Sequence, residues 1–229
     1  MKKLFIVANW KSNKTTPEAK EWFEKSSEFR IPASQLGEQS SELENKEIIV
    51  CPPFTVLSQA KELISKNDLH FKVGAQDISA FEMGSYTGEV NGKQIKEFAE
   101  YVIVGHSERR SNNKEDDQVL EKKVLQAKEN GLTVIYCVRS IEDVVPQGVT
   151  IAAYEPVFAI GSGVADTPEN ADSVAKELKQ KYLVGHVLYG GSVNSSNVHS
   201  FIQMPHIEGV LVGKASLDPL EFSKIIQNA

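Results

Sequence analysis

The stretch Thr150-Ile-Ala-Ala-Tyr-Glu-Pro-Val-Phe-Ala-Ile-Gly-Ser-Gly163 decides the fold. Its first five residues form a short apolar run without polar/apolar alternation, the pattern of a strand buried on both faces. Glu155 then stands at the carboxyl end of that strand, and Pro156 ends pairing. Seven further runs of the same kind lie outward from it: Leu4–Ala8, Ile48–Cys51, His70–Ala75, Tyr101–Val104, Leu132–Cys137, His186–Tyr189 and Gly209–Val212. Helical patterns separate most of them. Pro17–Phe29 follows a Thr15-Thr16 cap, Val56–Lys66 follows Thr55, and Gln94–Glu100 is short. Asp116–Asn130 stops at Gly131, Glu169–Leu183 follows Thr167-Pro168, and Ser195–Gln203 and Asp218–Gln227 complete the set. Residues 30–46 are polar and read as a surface loop or a short extra helix.

Eight strands alternating with helices in 229 residues point to an α/β fold, either a (β/α)8 barrel or a doubly wound open sheet. Chemistry-bearing residues follow many strands: Asn9 and Lys11 the first, Gln76 the third, His106 the fourth, Glu155 the sixth, Gly190, Gly191 and Ser192 the seventh, and Gly213 the eighth. An open sheet gathers its site at one switch point, whereas a closed barrel gathers every strand end around one mouth. The barrel is therefore expected, as a single domain over residues 1–229. Only Val138–Val149 separates strands five and six, so the fifth helix is expected to be nearly deleted, and the sixth shortened.

The net charge of −6 argues against a nucleic-acid or membrane-surface partner. Two cysteines, Cys51 and Cys137, make neither a disulfide framework nor a metal-site spacing, and fit a reducing cytoplasm. The run Leu4–Ala8 is too short for a secretory leader, and no stretch approaches a membrane span of about 20 apolar residues.

Most strand-end glutamates are solvated charges, but Glu155 ends a buried apolar strand, where a carboxylate becomes a better base. The apolar Gly-bearing loop after it suits a lid hinged near Pro156 and Ala165–Thr167. His106 precedes a helix start, and a helix N-terminus disfavours imidazolium and favours neutral imidazole. Glu108, Arg109 and Arg110 read as an ion-pair cluster. Lys11 leaves a buried strand beside Asn9 and so could supply a fixed cation at the barrel mouth. Gly190-Gly191-Ser192 and Gly213 suggest backbone amides around a phosphate. A base, a neutral electrophile, a cation and a phosphate cradle, with no metal-ligand cluster and no cofactor fingerprint, suit proton abstraction beside the carbonyl of a small phosphorylated substrate.

The segments ANWK (8–11), AQDISAFEMGSYTGEV (75–90), GHSERR (105–110), AYEPVFAIGSG (153–163), YGGSV (189–193) and LVGKASL (211–217) resemble the triosephosphate isomerase family, in order along nearly the whole chain. The resemblance implies a homodimeric barrel that interconverts dihydroxyacetone phosphate and glyceraldehyde 3-phosphate without cofactor; the surface around strands five and six leaves a tetramer as the larger option. It makes Glu155 the base and His106 the electrophile, a pairing that also serves as a standard illustration of carboxylate–imidazole catalysis. Asn9 and Lys11 then contact substrate, and Gly161, Gly190, Gly191, Ser192, Gly213 and Lys214 surround the phosphate. Thr87, with Gln76 at the root of its loop, belongs to the dimer contact. The chain departs from the family in Lys214 for a usual glycine, in Cys137-Val-Arg-Ser140 for Cys-Ile-Gly-Glu, and in Phe158 for a lid tryptophan. Another phosphate-binding barrel isomerase, and a silent binding protein on this scaffold, are the competing readings. Trimming of the fifth and sixth helices is expected to leave Val134 and Ile151 thinly covered.

Overall fold

The computed structural model describes residues 2–26, 45–159 and 164–229. Eight parallel strands, β1 Leu4–Asn9, β2 Lys46–Cys51, β3 Phe71–Ala75, β4 Tyr101–Val104, β5 Thr133–Val138, β6 Ile151–Tyr154, β7 His186–Tyr189 and β8 Gly209–Val212, form a closed barrel in sequence order. It closes through β1 and β8, registered from Phe5 opposite Gly209 to Ala8 opposite Val212. The outer helices are α1 Thr16–Ser26, α2 Leu57–Lys66, α3 Gly92–Lys96, α4 Ser107–Asn112, α5 Asp117–Glu129, α6 Pro168–Tyr182, α7 Val198–Ile202 and α8 Pro219–Asn228. The polar stretch expected as a loop lies mostly outside the described residues.

Local signals set the helix starts. The Asn91 and Gln94 side chains cap α3 reciprocally, and Asp116 accepts from the Val119 amide at the start of α5. Thr167 and Asp218 cap α6 and α8 just before Pro168 and Pro219.

The period of two along each strand divides the core in two. Phe5, Val7, Ile49, Ile103, Ile135, Ile151, Leu188 and Leu211 fill the barrel, whereas Ile6, Ala8, Val50, Val104, Val134, Tyr136, Val187 and Val210 pack under the helices. This corrects one expectation: Ile151 faces the barrel interior, so an outer helix is not its cover. The same parity carries Phe5 and Val7 on to Asn9, Ile151 and Ala153 on to Glu155, and Leu211 on to Gly213, and so aims all three into the mouth.

The fifth helix is missing as expected: no helix forms between Val138 and Ile151. Pro146 and Gly148 break a twelve-residue connection too short to carry one. The expected shortening of the sixth helix is not found. With its Thr cap and Pro start, α6 runs fifteen residues, the longest among the described residues. The gap beside β5 is not thinly covered either. Val145 and Val149 lie over it, leaving Val134 5% and Tyr136 0% exposed.

Neighbouring side chains satisfy the carbonyls of that connection. Lys181 donates to Ile141 O at 2.7 Å, Tyr182 to Asp143 O at 2.9 Å, Tyr136 to Val144 O at 3.0 Å and Lys128 to Gln147 O at 3.3 Å. Arg139 closes it on itself, with contacts to Asp143 of 2.6 Å from Nη2 and 3.0 Å from Nε.

Candidate active site

Glu155 and His106 meet at the barrel mouth, with 3.0 Å between Glu155 Oε1 and His106 Nε2. Both are buried, at 1% and 6% exposure. His106 is the N-cap of α4, and its Nδ1 accepts the Glu108 backbone N–H at 3.2 Å. The Glu108 carboxylate lies farther from Nδ1, at 3.7 Å. A nitrogen that accepts an N–H carries no proton, so the proton of the ring sits on Nε2 and is donated to Glu155. Acceptance at Nδ1 calls for the tautomer protonated on Nε2, and the contact with Glu155 fits that tautomer. The other carboxylate oxygen, Oε2, accepts the Ser107 N–H at 3.0 Å. One helix end thus holds the Glu155 carboxylate and the His106 imidazole together.

Two backbone features make this possible. Gly105 has φ +76°, a conformation that turns the chain from β4 into the cap and is open to glycine. Gly190 leaves room for Glu155, because a Cβ there would lie 2.9 Å from Glu155 Cγ and 3.2 Å from Tyr154 O.

Lys11 has φ +53° and donates to Glu108 Oε1 at 2.5 Å. Asn9 Oδ1 accepts the Lys11 N–H at 3.1 Å. Gln76, at the root of the 77–88 loop, donates its amide group to Lys11 O and Cys51 O, each at 2.9 Å. It braces the left-handed turn that aims the lysine. Gly213 faces this cation, and a Cβ there would lie 3.5 Å from Lys11 Cε. The loop after β8 therefore borders the lysine, and the loop after β7 borders Glu155. Gly191 backs onto the Tyr189 hydroxyl. Lys214 is exposed and opens a 3-10 turn, Lys214–Leu217.

Ser192 Oγ donates to Ala159 O at 2.7 Å. On the far side of the loop, Asp166 N donates to Tyr189 Oη at 2.8 Å, and Asp166 Oδ2 accepts from Asn170 at 2.7 Å. Burial beside the Asp166 carboxylate pushes the Tyr154 hydroxyl up to about 12. Gly161 and the expected lid tip lie outside the described residues. Phe158, in the place of the family's tryptophan, is 61% exposed.

The expected ion-pair cluster is three separate contacts. Glu108 serves Lys11. Arg109 joins Asp77 at 2.8 Å and Glu115 at 2.7 Å, and the buried Lys123 joins the same two carboxylates at 2.6 and 2.7 Å. Burial pushes Asp77 up despite Lys123 and Arg109. Arg110 turns inward beneath α4. Sequence reading missed the Ser107 amide, a backbone group without a side-chain signal, and the bracing role of Gln76.

Among the described residues, no group of three or more His, Cys, Asp or Glu side chains could hold a metal ion, and no helix is long and apolar enough to cross a membrane. The family model described as Triosephosphate isomerase matches residues 4–229. Curated relatives of that name include the protein of Mesomycoplasma hyopneumoniae strain 232, 36% identical with 100% of each chain covered. That of Synechococcus sp. strain JA-2-3B'a(2-13) is 36% identical over 99% of this chain and 97% of its own. That of Thermus thermophilus is 34% identical over 100% of both. With the barrel, the paired acid and imidazole and a match over essentially the whole length, the chain belongs to the triosephosphate isomerase family.

Proposed function

We propose that this protein interconverts dihydroxyacetone phosphate and D-glyceraldehyde 3-phosphate through an enediolate. The observation that carries the reading is the His106 ring, whose Nδ1 accepts the Glu108 amide and whose Nε2 faces Glu155 at 3.0 Å. Substrate entering the mouth takes the place of that mutual contact. Glu155 then removes the proton beside the carbonyl while His106 Nε2–H and the Lys11 ammonium stabilise the oxygen that gains charge. The imidazole relays a proton between the two adjacent oxygens, and Glu155 returns its proton to the other carbon. Asn9 orients Lys11 and lines the substrate. Backbone amides of Gly190, Gly191, Ser192, Gly213 and Lys214 surround the phosphate, with the Lys214 side chain turned away. Gly161 enters this role through the family resemblance alone. The route uses side-chain acid–base chemistry, without cofactor or metal.

A purified-protein assay coupled to consumption of one triose phosphate tests the reading. Turnover is expected in both directions. Its absence, with activity on another phosphorylated sugar, would transfer the assignment to a different barrel isomerase.

The protein also acts as a homodimer in this reading, in a reducing cytoplasm suited to its two buried free thiols. The support is the loop at 77–88. Phe81 stacks on Tyr86 with ring centroids 4.2 Å apart, and Met83 is 72% exposed. Thr87 is exposed beside them, in a turn closed by Glu89 N donating to Tyr86 O at 3.0 Å. Such an apolar projection suits insertion into a second copy. A dimer predicts an unfolding midpoint that rises with protein concentration. A reversible transition with constant midpoint and monomer mass over a hundredfold dilution would reject it.

A further inference from the structure

Tyr136 stands on the outer face of β5, against the helix-less connection that follows the strand. It is fully buried, and its hydroxyl does two things at once. It donates to Val144 O at 3.0 Å in the helix-less connection and accepts from Arg110 Nη2 at 3.1 Å. The Arg110 guanidinium lies 5.5 Å from the centre of the tyrosine ring and is buried with it. Arg110 also donates to Gly105 O at 2.8 Å and Cys137 O at 3.2 Å, and meets the exposed Asp117 at 3.4 Å.

The two carbonyls matter because of their neighbours. Gly105 precedes His106, and a Cβ on it would lie 3.1 Å from Arg110 Nη2. Cys137 precedes Val138, whose carbonyl accepts the Glu155 N–H at 2.8 Å. One guanidinium therefore spans the ends of β4 and β5, one residue before His106 on one side and one residue before the carbonyl that pairs with Glu155 on the other. A buried arginine has five donors to satisfy, and its plane is fixed by its acceptors. The tyrosine hydroxyl supplies one of these acceptors from below, and Val144 O fixes the hydroxyl in turn.

We propose that Tyr136 is a positioning residue for the isomerase reaction, transmitting the shape of the helix-less β5–β6 connection through Arg110 to the His106–Glu155 pair. The proposal rests on the isomerase reading above. It makes the missing helix part of the active-site support.

Tyr136→Phe tests it, because it removes the hydroxyl and keeps the ring. A displacement of catalytic groups acts on the chemical step far more than on binding, and about 1 Å costs up to about 10²-fold. The expected result is a fall in kcat of about tenfold at a temperature well below the unfolding midpoint, with KM and the inhibition constant of inorganic phosphate within twofold of the parent. In Arg110→Lys, which cannot reach the same acceptors together, adding Tyr136→Phe should change kcat less than twofold further, since both act through one path. Asp117→Ala, which removes only the exposed partner of Arg110, should leave kcat unchanged. If Tyr136→Phe lowers the unfolding midpoint but keeps the parent kcat, the hydroxyl is structural only and the proposal is overturned. Equal proportional losses in the parent and in Arg110→Lys would overturn the route through Arg110. Should Tyr136→Phe not fold, Arg110→Lys alone decides: a parent-like kcat rejects the proposal. An inactive parent protein would instead refute the isomerase reading, so the two failures are distinguishable.

Discussion

The connection from β4 to β5 runs through two helices, α4 and α5, whereas that from β5 to β6 has none. Each leads toward one member of the His106–Glu155 pair. In the first, backbone groups serve one another, and the amides left over at the start of α4 are turned on Glu155 and His106. In the second, carbonyls that a helix would satisfy internally are reached by side chains of Lys128, Tyr136, Lys181 and Tyr182. A barrel strand needs its outer face covered and the covering backbone hydrogen-bonded. A helix is one way to meet both demands, and a loop clamped from outside is another. The second way couples the loop to the side chains that hold it, which helices largely avoid.

The sharpest way to break the comparison is at the pair itself. Glu155→Gln keeps the size of the side chain and removes the base, so kcat should fall by about 10²–10⁴-fold, with binding of a phosphorylated inhibitor within about tenfold. A variant with a third of parental turnover would refute the role of Glu155. Gly190→Ala should come next. Its Cβ would press on Glu155 Cγ from 2.9 Å, and a flexible side chain yields before backbone does. The expected result is a kcat loss of about ten- to a hundredfold with the fold intact by circular dichroism. Unchanged kcat would mean that the pocket behind the base is looser than its geometry implies.

Tyr182→Phe isolates the clamp from the catalytic pair. It removes the bond to Asp143 O and should cost about 1 kcal/mol in denaturant unfolding, with kcat within twofold. A large loss of kcat here would mean that any disturbance of the loop reaches the site, not only one passing through Tyr136.

The smallest effect concerns acid. Burial opposes ionisation of Asp143, but hydrogen bonds from the Arg139 side chain and backbone prevail and hold it below the ordinary carboxylate range. A carboxylate depressed in the folded state stabilises above its unfolded value and stops doing so as pH falls through the folded one. The stability difference between the parent and Asp143→Asn should therefore be full above about pH 5 and fade below about pH 4. A difference constant with pH would show that the clip acts by shape alone.

Much of this is legible in the sequence. Strand positions follow from continuous apolar runs, because strands between a filled interior and a layer of helices are buried on both faces. Glu155, His106 and Lys11 are legible because they leave such runs directly. The face of Ile151 is not, because an unbroken apolar run hides which residues point inward until the parity of the strand is counted. The length of α6 is carried by its Thr167 cap and Pro168, signals that outweigh the shortness of the neighbouring connection. Gln76, Ser107 and Tyr136 are illegible for one reason. Their effect lies in which backbone atoms they meet, and those atoms come from strands far away in sequence.

The His106 ring has a consequence for adventitious metals. A histidine 3.0 Å from a carboxylate ordinarily invites zinc or copper, which bind through an imidazole lone pair. Here the only free lone pair, on Nδ1, is occupied by the Glu108 N–H. Moving the proton to Nδ1 would free Nε2 but set two N–H groups against each other. The contact that holds the ring proton on Nε2 therefore also leaves Nδ1 no lone pair for a metal in this arrangement.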